Sequence, residues 1–470
     1  MQIKTEELKK TYDYIIIGAG IIGMTILREL VEKGKKNILI IESGSMLSED
    51  PYPKFMNVRS KKFKIKSKSR FNGVGGSSNV WGAICAIFDE ETINNHFKKK
   101  VFPINFQEYS HFLKQSEKYG YPKLNDFKID RSLNKTLNKK KFIQKIPSIR
   151  YFHFSSILES ESVDFLQNSF VEKVDKSNKI FFTSQKSRNI NNSTNAKKII
   201  LCANTIENYK ILKKSNLDTN LDKLGKGFMN HTKGVVGSII ANEKLNDFLS
   251  KKLDDSITYF GIQLKNSSFK HYLKINKGFK IPILDYMVKW LNGNNNLYEG
   301  SFSVSSSQIT VRLLYLIELF LNLLDKIFGI FYKNYYHIEA FTEIKCRDEN
   351  YISYDKKNKK TTVSYDLSVN EINSLKKLLE EFESKFKTKI LFKPKSISKL
   401  KKLVSFDSSH HMGGMVCGES KENSIVDLSL RVHGTKSIYI CGGGIFPFSG
   451  IANPTISYVA LAIWLSKKVL

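Results

Sequence analysis

The chain has 470 residues and a formal net charge of +30, and 41% of its residues are hydrophobic. Length and composition predict a globular protein of two or so domains with a large core. Residues 1–10 contain no apolar run, so we expect no secretory signal. The five cysteines are scattered and lack CxxC spacing, which predicts free thiols in a reducing, cytoplasmic compartment.

A high positive charge is also typical of nucleic-acid-binding proteins, because lysine and arginine neutralise phosphates. The sequence has no nucleic-acid-binding motif, and Lys, Asn, Ile and Phe are enriched together. We therefore interpret the charge as overall composition and expect no nucleic-acid partner. Two alternatives stay open: attraction of an anionic substrate, and contact with the inner face of a membrane.

The first elements form a predicted β-α-β unit. Residues 14–17 are a short apolar strand, residues 21–33 have helical periodicity, and residues 37–41 make a second strand. In the connecting turn, Gly18 permits a tight bend, Gly20 lets backbone approach a pyrophosphate, and Gly23 lets the helix pack on the sheet. Glu42 follows the second strand, where it can accept ribose hydroxyls. The pattern predicts a dinucleotide site without separating FAD from NAD.

A second glycine-rich run follows a lysine-rich stretch and reads Val-Gly-Gly-Ser-Ser-Asn-Val-Trp-Gly over residues 74–82. Its paired glycines, Gly75 and Gly76, allow backbone to approach a planar ring system closely.

The middle of the chain alternates strands and loops. Strands are predicted at residues 165–174, 180–183, 198–202, 338–353 and 361–366, and an Asn/Ser-rich loop at 187–195. Amphipathic helices are predicted at 283–291 and 312–332. Their polar stripes argue against membrane spans. They fit a core helix or subunit contact, with a helix lying in a membrane interface as the alternative.

The closing segment carries the chemistry. His410 lies just before Gly413 and Gly414, and Asn453-Pro454-Thr455 opens an apolar helix. A histidine supplies a base that titrates near neutral pH, and an amide supplies a neutral hydrogen-bond donor. Together they fit the oxidation of an alcohol, which loses a hydroxyl proton and a hydride.

The two glycine runs and this histidine–asparagine pair together resemble the glucose-methanol-choline (GMC) flavin oxidoreductases, most closely the sugar-oxidising, pyranose oxidase-like branch. The resemblance implies an α/β fold: an FAD-binding Rossmann-like domain from residues 1–90, 161–235 and 405–470, and a mixed sheet-and-helix substrate domain from 91–160 and 236–404. It also implies cofactor-binding residues, namely Gly18, Gly20, Ile22, Gly23, Glu42, Ser43, Gly75, Gly76, Ser77, Ser78, Asn79, Val171, Ala203, Asn204, Gly443, Gly444 and Thr455.

The resemblance makes His410 the catalytic base and Asn453 its partner. His411 is the adjacent rival, but the family spacing to the glycine pair selects His410. It also makes FAD the cofactor. Some family members bond FAD through a histidine in the second glycine run, where this chain has Val80, so we predict non-covalent FAD. His231 and His433 match family turns and are interpreted as structural. The other histidines show no metal-ligand spacing, so no metal is predicted.

The leading hypothesis is an FAD-dependent oxidoreductase that oxidises a CH–OH group of a small-molecule alcohol or sugar, with an unknown electron acceptor. Two alternatives stay open. One is that the substrate is an apolar alcohol of the sterol or terpenoid type, and the other is that the chain binds FAD as a partner protein without turnover.

Overall fold

The structure is a computed structural model. It describes residues 2–47, 49–128, 133–184, 187–215, 217–250, 257–278, 280–294, 320, 323, 326–327, 334–450 and 453–470. Within these ranges the strands are β1 (Thr11–Ile17), β2 (Ile38–Ile41), β3 (Arg59–Lys62), β4 (Ile84–Cys85), β5 (Leu137–Gln144), β6 (Val163–Leu166), β7 (Ser169–Val174), β8 (Lys179–Ser184), β9 (Ser187–Leu201), β10 (Thr232–Ile240), β11 (Ile257–Leu264), β12 (Tyr272–Lys277), β13 (Tyr335–Thr342), β14 (Tyr351–Asp355), β15 (Lys360–Tyr365), β16 (Phe406–Asp407) and β17 (Ile438–Ile440).

The α-helices connect and cover these strands. They are α1 (Ile21–Glu32), α2 (Glu90–Lys98), α3 (Phe106–Gln115), α4 (Asn204–Ser215), α5 (Glu243–Ser250), α6 (Pro282–Asn294), α7 (Val369–Phe386), α8 (Ile397–Leu403) and α9 (Thr455–Lys468). Short 3₁₀ turns at Gly76–Asn79 and Gly443–Ile445 lie in the glycine-rich loops. Among the described residues, no helix combines the length and apolarity that crossing a bilayer requires.

The first sheet has the order β6-β2-β1-β9-β8-β7, and β17 also pairs with β9. Strands β1, β2, β6, β9 and β17 run parallel. All four side chains of β2 are buried, as expected for a parallel strand covered on both faces. On one side, α1 packs against α9, so the two ends of the chain share one core. This is a Rossmann-type layer, as predicted.

The second sheet has the order β16-β10-β13-β12-β11-β5-β4, and the third joins β14, β15 and β3. Every pairing in the second sheet is antiparallel, so its strands can turn one face to a core and the other outward. The predicted class is therefore confirmed: an α/β chain with a Rossmann-type part and a mixed sheet-and-helix part. The exact domain boundaries stay a prediction, and the third sheet takes strands from both predicted domains.

Several element predictions need correction. The strand expected at 165–174 is broken between β6 and β7, where Asn168 adopts a positive φ of 53°. The strand expected at 338–353 is the end of β13 and the start of β14, with residues 343–350 crossing from one sheet to another. The prediction of a loop at 187–195 is wrong. These residues belong to β9 and pair with β8, because backbone hydrogen bonds form a ladder whatever the side chains.

The two amphipathic segments have different outcomes. Residues 283–291 lie within α6 as expected. Most of the helix predicted at 312–332 lies outside the described residues. The described positions there, Phe320, Leu323, Lys326 and Ile327, are helical and exposed.

Candidate active site

The glycine turn after β1 makes the floor of a cleft. A Cβ on Gly23 would lie 1.9 Å from the carbonyl oxygen of Gly18, so only glycine lets α1 start against this turn. A Cβ on Gly20 would meet only Gly76, with its Cα at 3.9 Å, so Gly20 borders open space. Gly20 precedes α1 and provides no side-chain cap. The first N–H groups of α1 therefore remain available to an anionic ligand in the cleft.

The second glycine run closes over this floor. Gly75 and Gly76 have φ values of 85° and 51°, and a Cβ on Gly76 would lie 3.0 Å from the Cα of Gly20. The two following polar residues support the loop. Ser78 donates its hydroxyl to the Gly75 carbonyl at 2.7 Å, and Asn79 donates to the Val74 carbonyl at 2.8 Å. These bonds hold the backbone of the loop directly against the glycine turn that follows β1.

Glu42 is held at the edge of the cleft by backbone donors. One carboxylate oxygen accepts from the Ala19 N–H at 2.8 Å, and the other from Gly44 at 2.9 Å and Gly73 at 3.2 Å. Because each carboxylate oxygen has two acceptor sites, the oxygen bound by Ala19 retains one for a ribose hydroxyl.

Asn204 has a φ of 62°, a left-handed conformation that asparagine adopts more readily than most residues. Its side-chain oxygen accepts from the N–H groups of Ile206 and Glu207 at the start of α4.

The C-terminal segment completes the cleft. Gly443 and Thr455 both line it, and so does Tyr458, one turn into α9. The Tyr458 hydroxyl is buried and has no hydrogen-bond partner, although buried polar atoms are normally paired. An unpaired hydroxyl facing a cleft indicates a ligand that supplies the missing partner.

These features fit FAD on the chain's own geometry. Two close glycine backbones, a free helix N-terminus, a carboxylate with an open acceptor site and an orphaned hydroxyl share one cleft. The predicted residues lining it are Gly18, Gly20, Ile22, Glu42, Ser43, Gly76, Ser77, Val171, Ala203, Asn204, Gly443 and Thr455. Five others lie behind the lining and support its loops, namely Gly23, Gly75, Ser78, Asn79 and Gly444.

A second cavity adjoins this cleft, and His410 lines both. Ser77 and Thr455 also line both, so the two spaces meet beside these residues. Asn453 lines the second cavity and donates its amide to the Ile84 carbonyl at 3.0 Å, which leaves its other amide hydrogen for a ligand. The structure thus places His410 and Asn453 on the wall of one cavity. Their predicted roles stay a hypothesis.

The turn that carries His410 is fixed from β10 and β16. Asp407 in β16 pairs with Thr232 in β10, which brings residues 230–232 beside 407–410. The Asn230 side chain accepts from the His410 N–H at 3.0 Å and donates to Asp407 at 2.7 Å. Ser409 adopts a positive φ of 65°, and its N–H donates to Asp407. A buried carboxylate and a buried amide therefore determine where the His410 ring lies.

His231 contacts His410 directly, with 2.9 Å between the two Nδ1 atoms. His231 Nε2 lies 2.6 Å from the Gly450 carbonyl oxygen, which can only accept, so this nitrogen carries a proton. Burial lowers the pKa of both histidines, which favours their neutral forms. A neutral His231 then has a bare Nδ1 that accepts from His410 Nδ1–H. The lone pair of His410 is consequently on Nε2.

His411, the rival base, faces the other way. Its Nε2 lies 3.5 Å from the Asp407 carboxylate, and its ring packs near Phe228. Burial opposes ionisation of Asp407, but His411 and Asn230 lower the pKa of this carboxyl below its usual value. His411 lines only the first cleft. His433 binds Ser424 and the Gly418 carbonyl, away from both spaces.

Sequence reasoning missed two residues of this site. Tyr458 was not predicted as a site residue, because it lies within an apolar helix. Its spacing of three from Thr455 could have indicated it, since this spacing puts both residues on one helical face. His231 was interpreted as structural, because nothing in the sequence indicates that it contacts His410. Among the described residues, no group of three or more His, Cys, Asp or Glu side chains is arranged to hold a metal.

A Rossmann-type layer, a cleft suited to FAD and a histidine shared with a second cavity together define a flavin-dependent oxidoreductase. Comparison with known families agrees. The family model described as GMC oxidoreductase matches residues 347–462. This part of the chain is a GMC oxidoreductase domain, which confirms the predicted family, the FAD cofactor and the enzyme class. The sugar-oxidising branch stays a prediction.

Solved structures share the whole fold. Pyridoxine 4-oxidase from Mesorbium loti superposes with a TM-score of 0.62 at 11% identity, over 97% of this chain and 99% of its own. An R554K variant of formate oxidase from Aspergillus oryzae gives 0.61 at 10% identity, over 97% of both chains. At this identity the likeness shows the fold alone. No match was found among curated protein sequences.

Proposed function

We propose that the protein oxidises a CH–OH group of an alcohol or sugar, with His410 as the base and Asn453 as the hydrogen-bond donor to the alcohol oxygen. FAD, when bound, accepts the hydride. The observation that carries this proposal is the position of His410, which lines both the cofactor cleft and the adjoining cavity. An alcohol in that cavity can therefore contact the base while its carbon faces the cofactor.

The chemistry of His410 follows from its neighbours. Burial lowers its pKa, and the nearby His231 lowers it further, so the ring stays neutral at physiological pH. A neutral ring whose Nδ1–H donates to His231 presents the Nε2 lone pair to a substrate hydroxyl. It removes the hydroxyl proton as the hydride leaves. The amide of Asn453 donates to the same oxygen and stabilises its developing charge.

Non-covalent binding of FAD is part of the proposal. Val80 has no group able to bond FAD, so we expect FAD to separate from the protein after acid precipitation.

The decisive experiment is anaerobic reduction of the FAD-loaded protein by a panel of alcohols and sugars. The reduction is monitored as the loss of the flavin absorbance band. We expect His410→Ala to lower the reduction rate by roughly 10²–10⁴-fold, with FAD still bound. His433→Ala is the matched control, because His433 lies outside both cavities. Equal rates in wild type and His410→Ala would contradict the assignment of the base. FAD binding without reduction by any alcohol would favour the non-catalytic alternative.

A further inference from the structure

Several large apolar side chains are exposed around one end of strand β10. Single exposed apolar residues are common on protein surfaces, but a cluster of them marks a contact site. Ser238 in β10 connects the segments that form this cluster. Its backbone pairs with Leu391, and its hydroxyl donates to the carbonyl of Lys280, just before α6, at 2.7 Å. The start of α6 and the residues after Leu391 therefore lie beside the same end of β10. The exposed side chains there are Ile240, Ile283, Met287, Phe392 and Ile397.

These side chains belong to one face. Ile240 is two residues beyond Ser238, so both side chains lie on the same side of β10, toward α6. Ile283 and Met287 are four residues apart and share one face of α6. Ile397 begins α8, and α6 and α8 pack against each other and against β10. We call this surface, from the end of β10 across the starts of α6 and α8, the α6–α8 face.

Phe392 lies on this face in an unusual backbone conformation. Its φ of 59° is in the left-handed region, which bulky residues rarely adopt. The preceding residue, Leu391, donates its N–H to the Ser238 carbonyl at 2.7 Å and accepts from the Ser238 N–H at 3.0 Å. The side chain of Phe392 is nevertheless 54% exposed. Backbone strain of this kind is concentrated at functional sites, and here it accompanies a half-exposed aromatic ring.

Lysines surround the apolar side chains. Residues 384–406 contain eight lysines and no aspartate or glutamate. The Thr388 hydroxyl donates to the Ile240 carbonyl at 3.3 Å, which brings the lysines on both sides of Thr388 to the end of β10. In α8, the Nζ of Lys402 lies 5.2 Å from the centre of the Tyr286 ring in α6. The exposed lysines of this segment are Lys387, Lys389, Lys395, Lys399 and Lys402.

Carboxylates also occur at the edge of the α6–α8 face. Asp285 binds Lys289 at 2.8 Å, and Glu383 binds Lys393. Glu243, three residues beyond Ile240, is exposed. Surface ion pairs are weak, so an exposed ammonium group beside a carboxylate still attracts anions from solution. The attraction of this face for an anionic partner therefore depends on the density and exposure of its lysines.

We infer that the α6–α8 face binds the surface of a membrane that contains anionic lipids. Exposed apolar side chains among lysines are typical of segments that lie in the headgroup region of a bilayer. The apolar side chains enter the boundary with the acyl chains, and the ammonium groups contact anionic headgroups. Protein–protein interfaces are depleted in lysine, and phosphate contacts to nucleic acids use polar groups without apolar side chains beside them. The composition of the face therefore favours lipid, and the inference is independent of the proposed reaction.

The test is co-sedimentation of the FAD-loaded protein with large unilamellar vesicles. One set of vesicles contains phosphatidylcholine alone, and the other contains phosphatidylcholine and phosphatidylserine in equal parts. We expect the protein to bind the mixed vesicles about tenfold or more tightly than phosphatidylcholine, and added salt should weaken this preference. In Phe392→Trp, the added indole emission should shift to shorter wavelength on vesicle binding, because the ring leaves water.

Charge variants locate the binding surface. Lys395→Gln combined with Lys399→Gln should weaken binding to the mixed vesicles by about 5- to 25-fold, since each lysine near an anionic membrane contributes a factor of about five. The matched control is Lys36→Gln combined with Lys176→Gln, which removes the same charge from exposed positions in the Rossmann-type part. The control pair should bind the mixed vesicles as the wild type does.

Apolar variants separate insertion from charge attraction. Phe392→Ser and Ile283→Ser should each weaken binding to the mixed vesicles several-fold, whereas Leu221→Ser, at an exposed position away from this face, should not. The inference is overturned if the mixed vesicles are not bound, or if either control weakens binding as much as the variants of the face. Wild-type binding by Phe392→Ser and Ile283→Ser would also overturn it, because charge alone would then explain the attraction. Binding of double-stranded DNA as tight as that of the mixed vesicles, and weakened by the same variants, would overturn it in favour of nucleic acid.

Discussion

The contact between His231 and His410 yields a prediction whose size can be worked from the structure. His231→Phe keeps a ring of similar size but removes the acceptor 2.9 Å from His410 Nδ1. The Nδ1–H of His410 is then buried without a partner, or the proton moves to Nε2 and the base is lost. Leaving a buried donor unsatisfied costs about 1–3 kcal/mol, and we expect a fall of about 5- to 150-fold in the limiting rate of flavin reduction.

The assay is anaerobic stopped-flow reduction with any alcohol that bleaches the flavin. FAD affinity should not change, because His231 does not line the cofactor cleft. His231→Asn is the conservative variant, since its amide oxygen can accept from His410 Nδ1–H and should recover part of the rate. Nitrogen NMR of labelled histidine should show His410 protonated on Nδ1 in the wild type. A full rate in His231→Phe, or an Nε2–H proton on His410 in the wild type, would refute the reasoning.

Three further predictions concern the cofactor cleft and the core. Gly20→Ala should have the melting temperature of the wild type but bind FAD more weakly, because its methyl group enters open cleft space. Gly23→Ala should lower the melting temperature, since its Cβ would lie 1.9 Å from a backbone oxygen. Equal effects of the two variants on both FAD affinity and melting temperature would contradict this. Burial lowers the pKa of His271 to about 4, so the unfolded state takes up the proton first as pH falls from about 6.5 to about 4, and stability should drop by roughly 3 kcal/mol over that window. Urea titrations across pH, in wild type and in His271→Gln with His153→Gln as the exposed control, should show a smaller pH dependence only in the first variant. Glu207→Gln should destabilise the protein by about 3–5 kcal/mol, because it leaves a buried guanidinium and a buried ammonium unpaired; a change in urea midpoint no larger than that of a surface Glu→Gln variant would contradict this.

The sequence by itself determined the parts of this protein in which local spacing dictates geometry. The β-α-β unit and its glycine turn follow from short-range periodicity and from positions where a Cβ has no room. The positive φ of Asn204 follows in the same way from a preference of that residue type. His410 and Asn453 were also singled out from sequence, because the closing segment resembles that of the GMC oxidoreductases.

Tertiary structure alone decided which distant residues meet. The pairing of β10 with β16 brings His231 to His410, although 179 positions separate them, and no local pattern encodes that register. The second cavity is lined by side chains from β5, β10, β12 and β13, whose shared face is set by strand order. The polar residues 187–195 form a strand because their backbone pairs with that of β8. Contacts between remote segments are selected by packing of the whole core, so a reading of neighbours along the chain does not contain them.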